Sequence, residues 1–157
     1  MNEPKHFPII IPERVEFLKK TESKKCVIDS LTNLLENGQS EVSKNEIFDA
    51  FIAREKLGDT LIGNGIALPR AHLDITHPRA ALLLLKQGIK LGAADKKAIH
   101  IFLGILIPTN DQDKYSVLLS EFTKKILLEE DLQTIIKSGN KEMAAKYFDK
   151  LLSHPTD

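Results

Sequence analysis

The chain is poor in the features that mark secreted and membrane proteins. It has one cysteine, Cys26, in 157 residues. A lone cysteine cannot form an internal disulfide, and it fits a reducing cytoplasm. No apolar run approaches the roughly 20 residues that a membrane-spanning helix needs, and the sequence after Met1 does not read as a secretory signal. We therefore expect a cytoplasmic protein that does not insert directly into a membrane.

An excess of charge of either sign is also absent. Lysine and arginine together number 22, as do aspartate and glutamate, so the formal net charge is zero. A balanced chain has no long-range attraction to nucleic acid or to an anionic bilayer. We expect no nucleic-acid partner.

Several catalytic and metal-binding motifs are missing. The turn Gly63-Asn64-Gly65 lacks the Gly-Lys-Ser/Thr ending of a P-loop and the spacing of a dinucleotide fingerprint. It is better explained as a turn with positive φ angles. His72, Asp74 and His77 could be imagined as metal ligands, but their spacing is not that of a strong site. We expect neither a metal nor a cofactor.

What is present is a pattern of helices at both ends and strands between them. Ser23 is predicted to cap a first helix that ends at Asn37-Gly38, with Cys26 on its apolar side. Ser43 and Glu46 form a capping box at the start of a second. Further elements are predicted as strands at 66–68, 79–86 and 98–107, the last containing His100 as a packed residue, and as helices at 114–128, after Glu130 and from Asn140. Residues 58–65 are predicted to be a loop.

This pattern predicts an α/β fold, a mixed β-sheet flanked by helices. Residues 1–13 carry three prolines and are expected to form an irregular arm. Residues 14–153 are expected to form a single domain, a length that suits one ordinary core.

Residues 54–60 and 63–69, Arg-Glu-Lys-Leu-Gly-Asp-Thr and Gly-Asn-Gly-Ile-Ala-Leu-Pro, carry a specific resemblance. Together they resemble the active-site signature of the type-2 IIA domains of the bacterial sugar phosphotransferase system. The fructose/mannitol and nitrogen-regulatory proteins form this class, and this chain resembles the nitrogen-regulatory kind most. The resemblance covers nearly the whole chain and implies the same fold. In the family, a histidine that becomes phosphorylated follows the proline, whereas here Arg70 follows Pro69 and His72 comes two residues later.

Arginine cannot perform the chemistry of that histidine. A phosphohistidine relay needs a ring nitrogen that is unprotonated near neutral pH. Arginine stays protonated and has no lone pair for attack, so it binds phosphate without accepting it. If the chain is extended here, Arg70 and His72 point to the same side, roughly two rises of 3.3 Å apart. That displacement is large for a phosphoryl-transfer centre.

The resemblance also implies other site residues. It places Arg54 close to the active face, although Arg54-Glu55-Lys56 reads most simply as the solvated side of a helix. It places Gly63, Asn64 and Gly65 where backbone donors lie near the phosphoryl group. A second family histidine, at the start of a later helix, is replaced here by Tyr115.

Two functions remain open at this point. One is a regulatory module that binds a partner protein, such as a sensor kinase or a potassium transport component, with Arg70 in the acceptor position. The other is an active phosphocarrier in which His72 accepts a phosphoryl group from an HPr-like donor. It would pass the group to a IIB domain or keep it as a signal. A purely structural role in assembly has no specific support in the sequence.

Overall fold

A computed structural model describes residues 8–110 and 112–153. These residues form a six-stranded mixed sheet with helices on both faces, which confirms the predicted fold class. The strands are β1 (Val15–Leu18), β2 (Leu61–Gly63), β3 (Ile66–Ala67), β4 (Arg70–Leu73), β5 (Arg79–Ile89) and β6 (Ile99–Pro108). The helices are α1 (Lys24–Glu36), α2 (Lys44–Glu55), α3 (Gln112–Ile126), α4 (Leu132–Ser138) and α5 (Lys141–Ser153).

Strand β6 is central to the sheet, and all of its residues except His100 are buried. Along the sheet the order is β1-β5-β6-β3-β2, and β4 also pairs with β6. Strand β5 runs antiparallel to β6, whereas β3 and β4 run parallel to it one after the other. Strands β3 and β4 therefore follow the same side of β6, and β4 begins where Arg70 pairs with Ile105.

Each face of the sheet has its own apolar core. One core packs α1 and α2 on the sheet through Leu31, Ile47, Phe51 and Phe102. The other packs α3, α4 and α5 through Phe122, Ile135, Phe148 and Leu103. The burial of both faces explains why the strands β5 and β6 read as nearly continuous apolar runs.

The predicted helix starts are confirmed at atomic detail. Ser23 Oγ accepts from Cys26 N at 3.2 Å. In the capping box, Ser43 Oγ accepts from Glu46 N and Glu46 Oε1 accepts from Ser43 N, both at 3.1 Å. These local motifs fix where α1 and α2 begin, and α2 carries Arg54 and Glu55 in its last turn.

Some expectations were wrong. Cys26 is exposed and does not belong to the core. The stretch 58–65 is not all loop, because it contains β2. Strand β1 had not been predicted, because four residues after a proline-rich stretch carry little periodicity.

The arm predicted for residues 1–13 is only partly within the described residues, since residues 1–7 lie outside them. Ile9 and Ile10 are buried, and their amides donate to Asp149 Oδ1 at 2.7 and 3.3 Å. A 3₁₀ helix covers Pro12–Arg14. The boundary between arm and domain stays a prediction.

Candidate functional site

Arg70 opens β4 directly after the buried Pro69. Its side chain is half-buried, and its Nε atom is buried without a hydrogen-bond partner among the described residues. Burial lowers the pKa of Arg70, the charge of Arg54 lowers it further, and Glu55 opposes the shift. A cation that is partly removed from water normally has a bonded acceptor. Arg70 lacks one.

The neighbours of Arg70 come from the end of α2, which packs on β4. Arg54 Nη1 donates to Gly58 O at 3.0 Å and so closes the turn after the helix. Its guanidinium keeps further donors, because the fork carries five N–H groups. The structure therefore brings Arg54 and Arg70 together, two like charges from segments 16 residues apart in the numbering.

Glu55 is the carboxylate that could neutralise this pair, but it is already engaged. Its Oε2 accepts from Thr60 Oγ1 at 2.8 Å. Its Oε1 forms an ion pair with Lys24 Nζ, without accepting a hydrogen bond of standard geometry. The Glu55 side chain is only 9% exposed, so the expectation that residues 54–56 lie on a solvated helix side is wrong for this residue.

His72 lies two residues further along β4 and is exposed. Ala71, between it and Arg70, is buried in the core under α1 and α2. The His72 ring forms no hydrogen bond or ion pair within the described part of the chain. Its nitrogens are therefore open to solvent and to a docked protein.

The comparisons with known proteins decide the family. The model of the phosphoenolpyruvate-dependent sugar phosphotransferase system, EIIA 2, matches residues 9–151. The chain belongs to this family.

Individual sequences and structures similar to this EIIA 2 protein include nitrogen regulatory proteins. A nitrogen regulatory protein homolog from Haemophilus influenzae is 29% identical over 122 residues, 75% of this chain and 74% of the relative. The crystal structure of the nitrogen regulatory protein IIA-Ntr from Neisseria meningitidis superposes with a TM-score of 0.77. It is 23% identical, and the match covers 92% of this chain and 96% of that one.

A third neighbour is the Escherichia coli complex of enzyme IIAMTL and phosphorylated enzyme IIBMTL. It gives a TM-score of 0.58 at 17% identity, over 92% of this chain and 88% of that one. At such identities the likeness shows a shared fold.

In this EIIA 2 protein the turn Gly63-Asn64-Gly65 has the predicted positive φ angles, 102°, 56° and 75°. Asn64 Nδ2 donates to Ile126 O and Glu129 O at 3.2 and 3.1 Å, which ties the turn to the end of α3. A Cβ on Gly65 would come within 3.2 Å of Ala98 O, so glycine suits this close approach.

The turn precedes β3 and Arg70 begins β4, so the two lie at different positions along β6. Gly65 O accepts from His100 N, whereas Pro69 O accepts from Ile105 N, both at 2.9 Å. Five residues of β6 separate these bonds, roughly 16 Å of extended strand. The backbone N–H of Asn64 is not available to a ligand either, because it donates to Asp95 Oδ2 at 3.0 Å. The structure does not bring the turn and Arg70 together.

Tyr115 lies in the first turn of α3 and is mostly buried in the core. Lys114 Nζ is 5.5 Å from the centroid of its ring. With Glu41, Asp74, Thr76 and Asn110 it lines a polar cavity of about 520 Å³. Asp74 follows the end of β4, so this cavity lies at the end of the strand that begins with Arg70.

Sequence reasoning missed three carboxylates that organise these regions. Glu55 is bonded to Thr60, Asp95 holds the amide of Asn64, and Glu41 Oε2 accepts from Thr76 N and Oγ1 at 2.9 and 2.6 Å. The last two contacts span 31 and 35 residues, so no local spacing signals them.

The described residues lack two further kinds of feature. No group of three or more histidine, cysteine, aspartate or glutamate side chains could hold a metal ion. None of the described helices combines the length and the apolar character that crossing a bilayer requires.

Proposed function

We propose that this EIIA 2 protein is a regulatory module that binds a partner protein and is not phosphorylated at the family position. The observation that carries the proposal is Arg70, a half-buried arginine whose Nε has no hydrogen-bond partner in the described part of the chain. It stands where the resemblance places the acceptor histidine. A guanidinium offers no lone pair for attack on phosphorus.

The positive charge of Arg70 would then be a permanent feature of this surface. Phosphorylation normally changes such a surface by adding about −1.5 to −2 units of charge. With Arg70 in the acceptor position, the surface stays cationic, so the partner would be bound regardless of the phosphorylation state of this chain. We propose that the module acts in the cytoplasm.

The partner is proposed from the family resemblance. The similar proteins include a nitrogen regulatory protein homolog and an IIA enzyme seen with a phosphorylated IIB enzyme. We propose an HPr-like phosphocarrier, a regulated protein such as a sensor kinase or potassium transport component, or both, as the partner of this chain.

His72 supports a second candidate function, that of an active phosphocarrier. Its ring is exposed and makes no internal bond among the described residues. A neutral ring nitrogen of His72 would attack the phosphorus of an HPr-like phosphohistidine. A new N–P bond would form on His72 as the donor's N–P bond breaks, and the donor imidazole would take the electron pair. Arg70 would stabilise the charge on the phosphoryl oxygens.

The experiment that separates the two is transfer from labelled phosphoenolpyruvate through enzyme I and a cognate HPr-type donor. The wild type is compared with His72→Ala and Arg70→His, and Arg79→Gln serves as a control away from β4. We expect no stable label on the wild type and on His72→Ala, and label on Arg70→His. Label on the wild type that disappears in His72→Ala would overturn the regulatory proposal and establish the carrier.

A further inference from the structure

Another cavity lies at the edge of the sheet, between β1, β5 and the end of α4. Its volume is about 560 Å³, within the roughly 300 to 1,000 Å³ that is typical of small-molecule sites. Phe17, Leu84 and Ile136, from three different elements, form an apolar floor. These side chains have no hydrogen-bonding group, so the floor suits the apolar body of a ligand.

Three lysines surround this floor. The side chains of Lys19, Lys86 and Lys137 line the cavity and are exposed. None of their ammonium groups has an ion pair or a hydrogen bond within the described part of the chain. No aspartate or glutamate among the described residues lines the cavity. The apolar floor is therefore combined with three positive charges that the described fold leaves unpaired.

The strand pairing puts two of these lysines side by side. Strands β1 and β5 are parallel, with Phe17 opposite Leu84, and beyond the last pair Gln87 N donates to Lys19 O at 2.7 Å. Lys19 and Lys86 each come two residues after Phe17 and Leu84, so all four side chains point to the same face of the sheet. Like charges on neighbouring strands repel each other. An anion bound between the two lysines would remove this repulsion.

We propose that this cavity binds a soluble organic phosphate monoester, with its apolar body on Phe17, Leu84 and Ile136 and its phosphate among the three lysines. A phosphate monoester carries about −1.5 to −2 charges near pH 7, which matches three cations better than a single carboxylate does. The carbonyl end of α4 reaches the cavity at Gly139, but its partial charge of about −0.5 is smaller than the charge of one lysine. The phosphate is held by charge and hydrogen bonds, without covalent transfer.

This site is separate from Arg70 and does not rest on the proposed function. Arg70 and Arg79 pair with neighbouring residues of β6. Lys86 lies seven residues beyond Arg79 on β5, roughly 23 Å of extended strand. A soluble ligand is favoured over a bilayer, because a chain of zero net charge has no long-range attraction to an anionic surface. A ligand bound here would leave Arg70 free for a partner protein.

The test titrates the full chain with hexyl phosphate, below the concentration at which it forms micelles, and follows the backbone amide shifts by NMR. Butyl phosphate, inorganic phosphate and hexanol are titrated in parallel. The variants are Lys19→Gln, Lys86→Gln and Lys137→Gln. Lys20→Gln is the matched control, because Lys20 is also exposed and follows Lys19 directly, but does not line the cavity. Each variant is first checked for a native spectrum.

We expect hexyl phosphate to shift the amides of Phe17 and Gly139 until the site is saturated. Its affinity should exceed that of butyl phosphate by up to about fifteenfold, because burying each of two further methylene groups strengthens binding roughly fourfold. The affinity should fall about threefold in each of the three lysine variants, the effect of losing one exposed ion pair. It should be unchanged in Lys20→Gln.

Each part of the inference has a result that would overturn it. Unmoved amides at about 10 mM hexyl phosphate, or an equal loss of affinity in Lys20→Gln, would show that the cavity is not the site. Inorganic phosphate or hexanol that binds as tightly as hexyl phosphate would show that charge and apolar floor do not act on one ligand.

Vesicles that contain phosphatidic acid test the choice of a soluble ligand. Sedimentation of the chain with these vesicles that depends on the three lysines, without binding of free hexyl phosphate, would assign the lysines to a membrane surface and contradict the inference. Neither titration involves phosphoryl transfer to His72, so failure here leaves the regulatory proposal standing, and covalent label on His72 leaves this site standing.

Discussion

Arg70 and Arg79 make a natural comparison, because they occupy similar places and meet different surroundings. Each is the first residue of a strand, and they pair with neighbouring positions of β6, Ile105 and Leu106. Each is half-buried with a buried Nε that has no partner among the described residues. Yet Arg79 Nη2 donates to Asn37 O at 3.0 Å, and the pKa of Arg79, lowered by burial, is supported by Glu41. Arg70 has Arg54 beside it, and the opposing carboxylate of Glu55 is already bonded to Thr60 and paired with Lys24. Arg79 has a like charge nearby as well, because it lowers the pKa of Arg14.

The two arginines differ in whether the described fold supplies a bonded acceptor for the charge. Around Arg79 the chain supplies a carbonyl and a carboxylate, so we expect this arginine to contribute to stability. Around Arg70 the carboxylate of Glu55 is bonded elsewhere. A half-buried charge that the described fold leaves without a bonded acceptor fits a role outside the fold, which here we propose to be the binding of a partner protein.

The largest change in the free energy of unfolding is expected at Arg14, whose side chain has bonded acceptors within the fold. This arginine is 6% exposed, and its Nε and Nη2 donate to Ala80 O and Ile9 O, both at 2.9 Å. Burial lowers its pKa to about 10, so it stays charged at neutral pH. Arg14→Met should lower the free energy of unfolding by about 2 kcal/mol, through two lost charged hydrogen bonds. Urea denaturation measures this, and an unchanged midpoint would show that these bonds do not stabilise the fold.

A smaller loss is expected at Arg79. Arg79→Met removes the bond to Asn37 O and the attraction to Glu41. We expect the free energy of unfolding to fall by about 1 kcal/mol, because one side-chain bond on a half-buried group has that worth. The same denaturation series tests it. A gain in stability would remove the contrast with Arg70.

Arg70 should behave in the opposite direction. Arg70→Met removes a partly desolvated cation and its repulsion with Arg54, and keeps an unbranched side chain of similar length. The free energy of unfolding should stay the same or rise by up to about 1 kcal/mol. A loss comparable to that of Arg14→Met would mean that the fold itself neutralises Arg70.

The smallest effect on stability is expected at the turn Gly63-Asn64-Gly65, where Asp95 accepts from the backbone of Asn64. The backbone N–H of Lys97 is the main reason that the pKa of Asp95 lies below 3.8, and the N–H of Asn64 adds to it against partial desolvation. A lowered folded-state pKa means that the contribution of Asp95 to stability is present above pH 3.8 and is lost as the pH falls through that lower value. The Asn64 amide shift, followed by NMR, should titrate below pH 3.8 in the wild type and not in Asp95→Ala.

The Arg70 signals should not follow that titration, because the turn precedes β3 whereas Arg70 begins β4, five residues further along β6. A backbone amide of Asn64 that titrates at or above pH 3.8 would contradict the proposed bonds. A parallel change at Arg70 would show that the turn and the start of β4 are coupled.

Local features of this chain could be predicted from sequence, and tertiary ones could not. The capping box of Ser43 and Glu46 depends on residues three apart, and the φ angles at the glycines follow from turn chemistry. The exposure of Cys26 was missed because the apolar stripe of a helix has uncertain edges. The proximity of Arg54 to Arg70 and the engagement of Glu55 depend on how α2 packs against β4, which no spacing encodes.

A double-mutant cycle between Arg54 and Arg70 tests most directly whether the site carries charge that the fold leaves unneutralised. The free energies of unfolding of Arg54→Met, Arg70→Met and the double variant are measured in low-salt buffer. Both single substitutions remove the same repulsion, so the double variant should be less stable than additivity predicts, by about 0.5 kcal/mol, and added salt should shrink this difference. A double variant more stable than additivity predicts would mean that the two arginines share a stabilising partner within the fold, and would contradict the account.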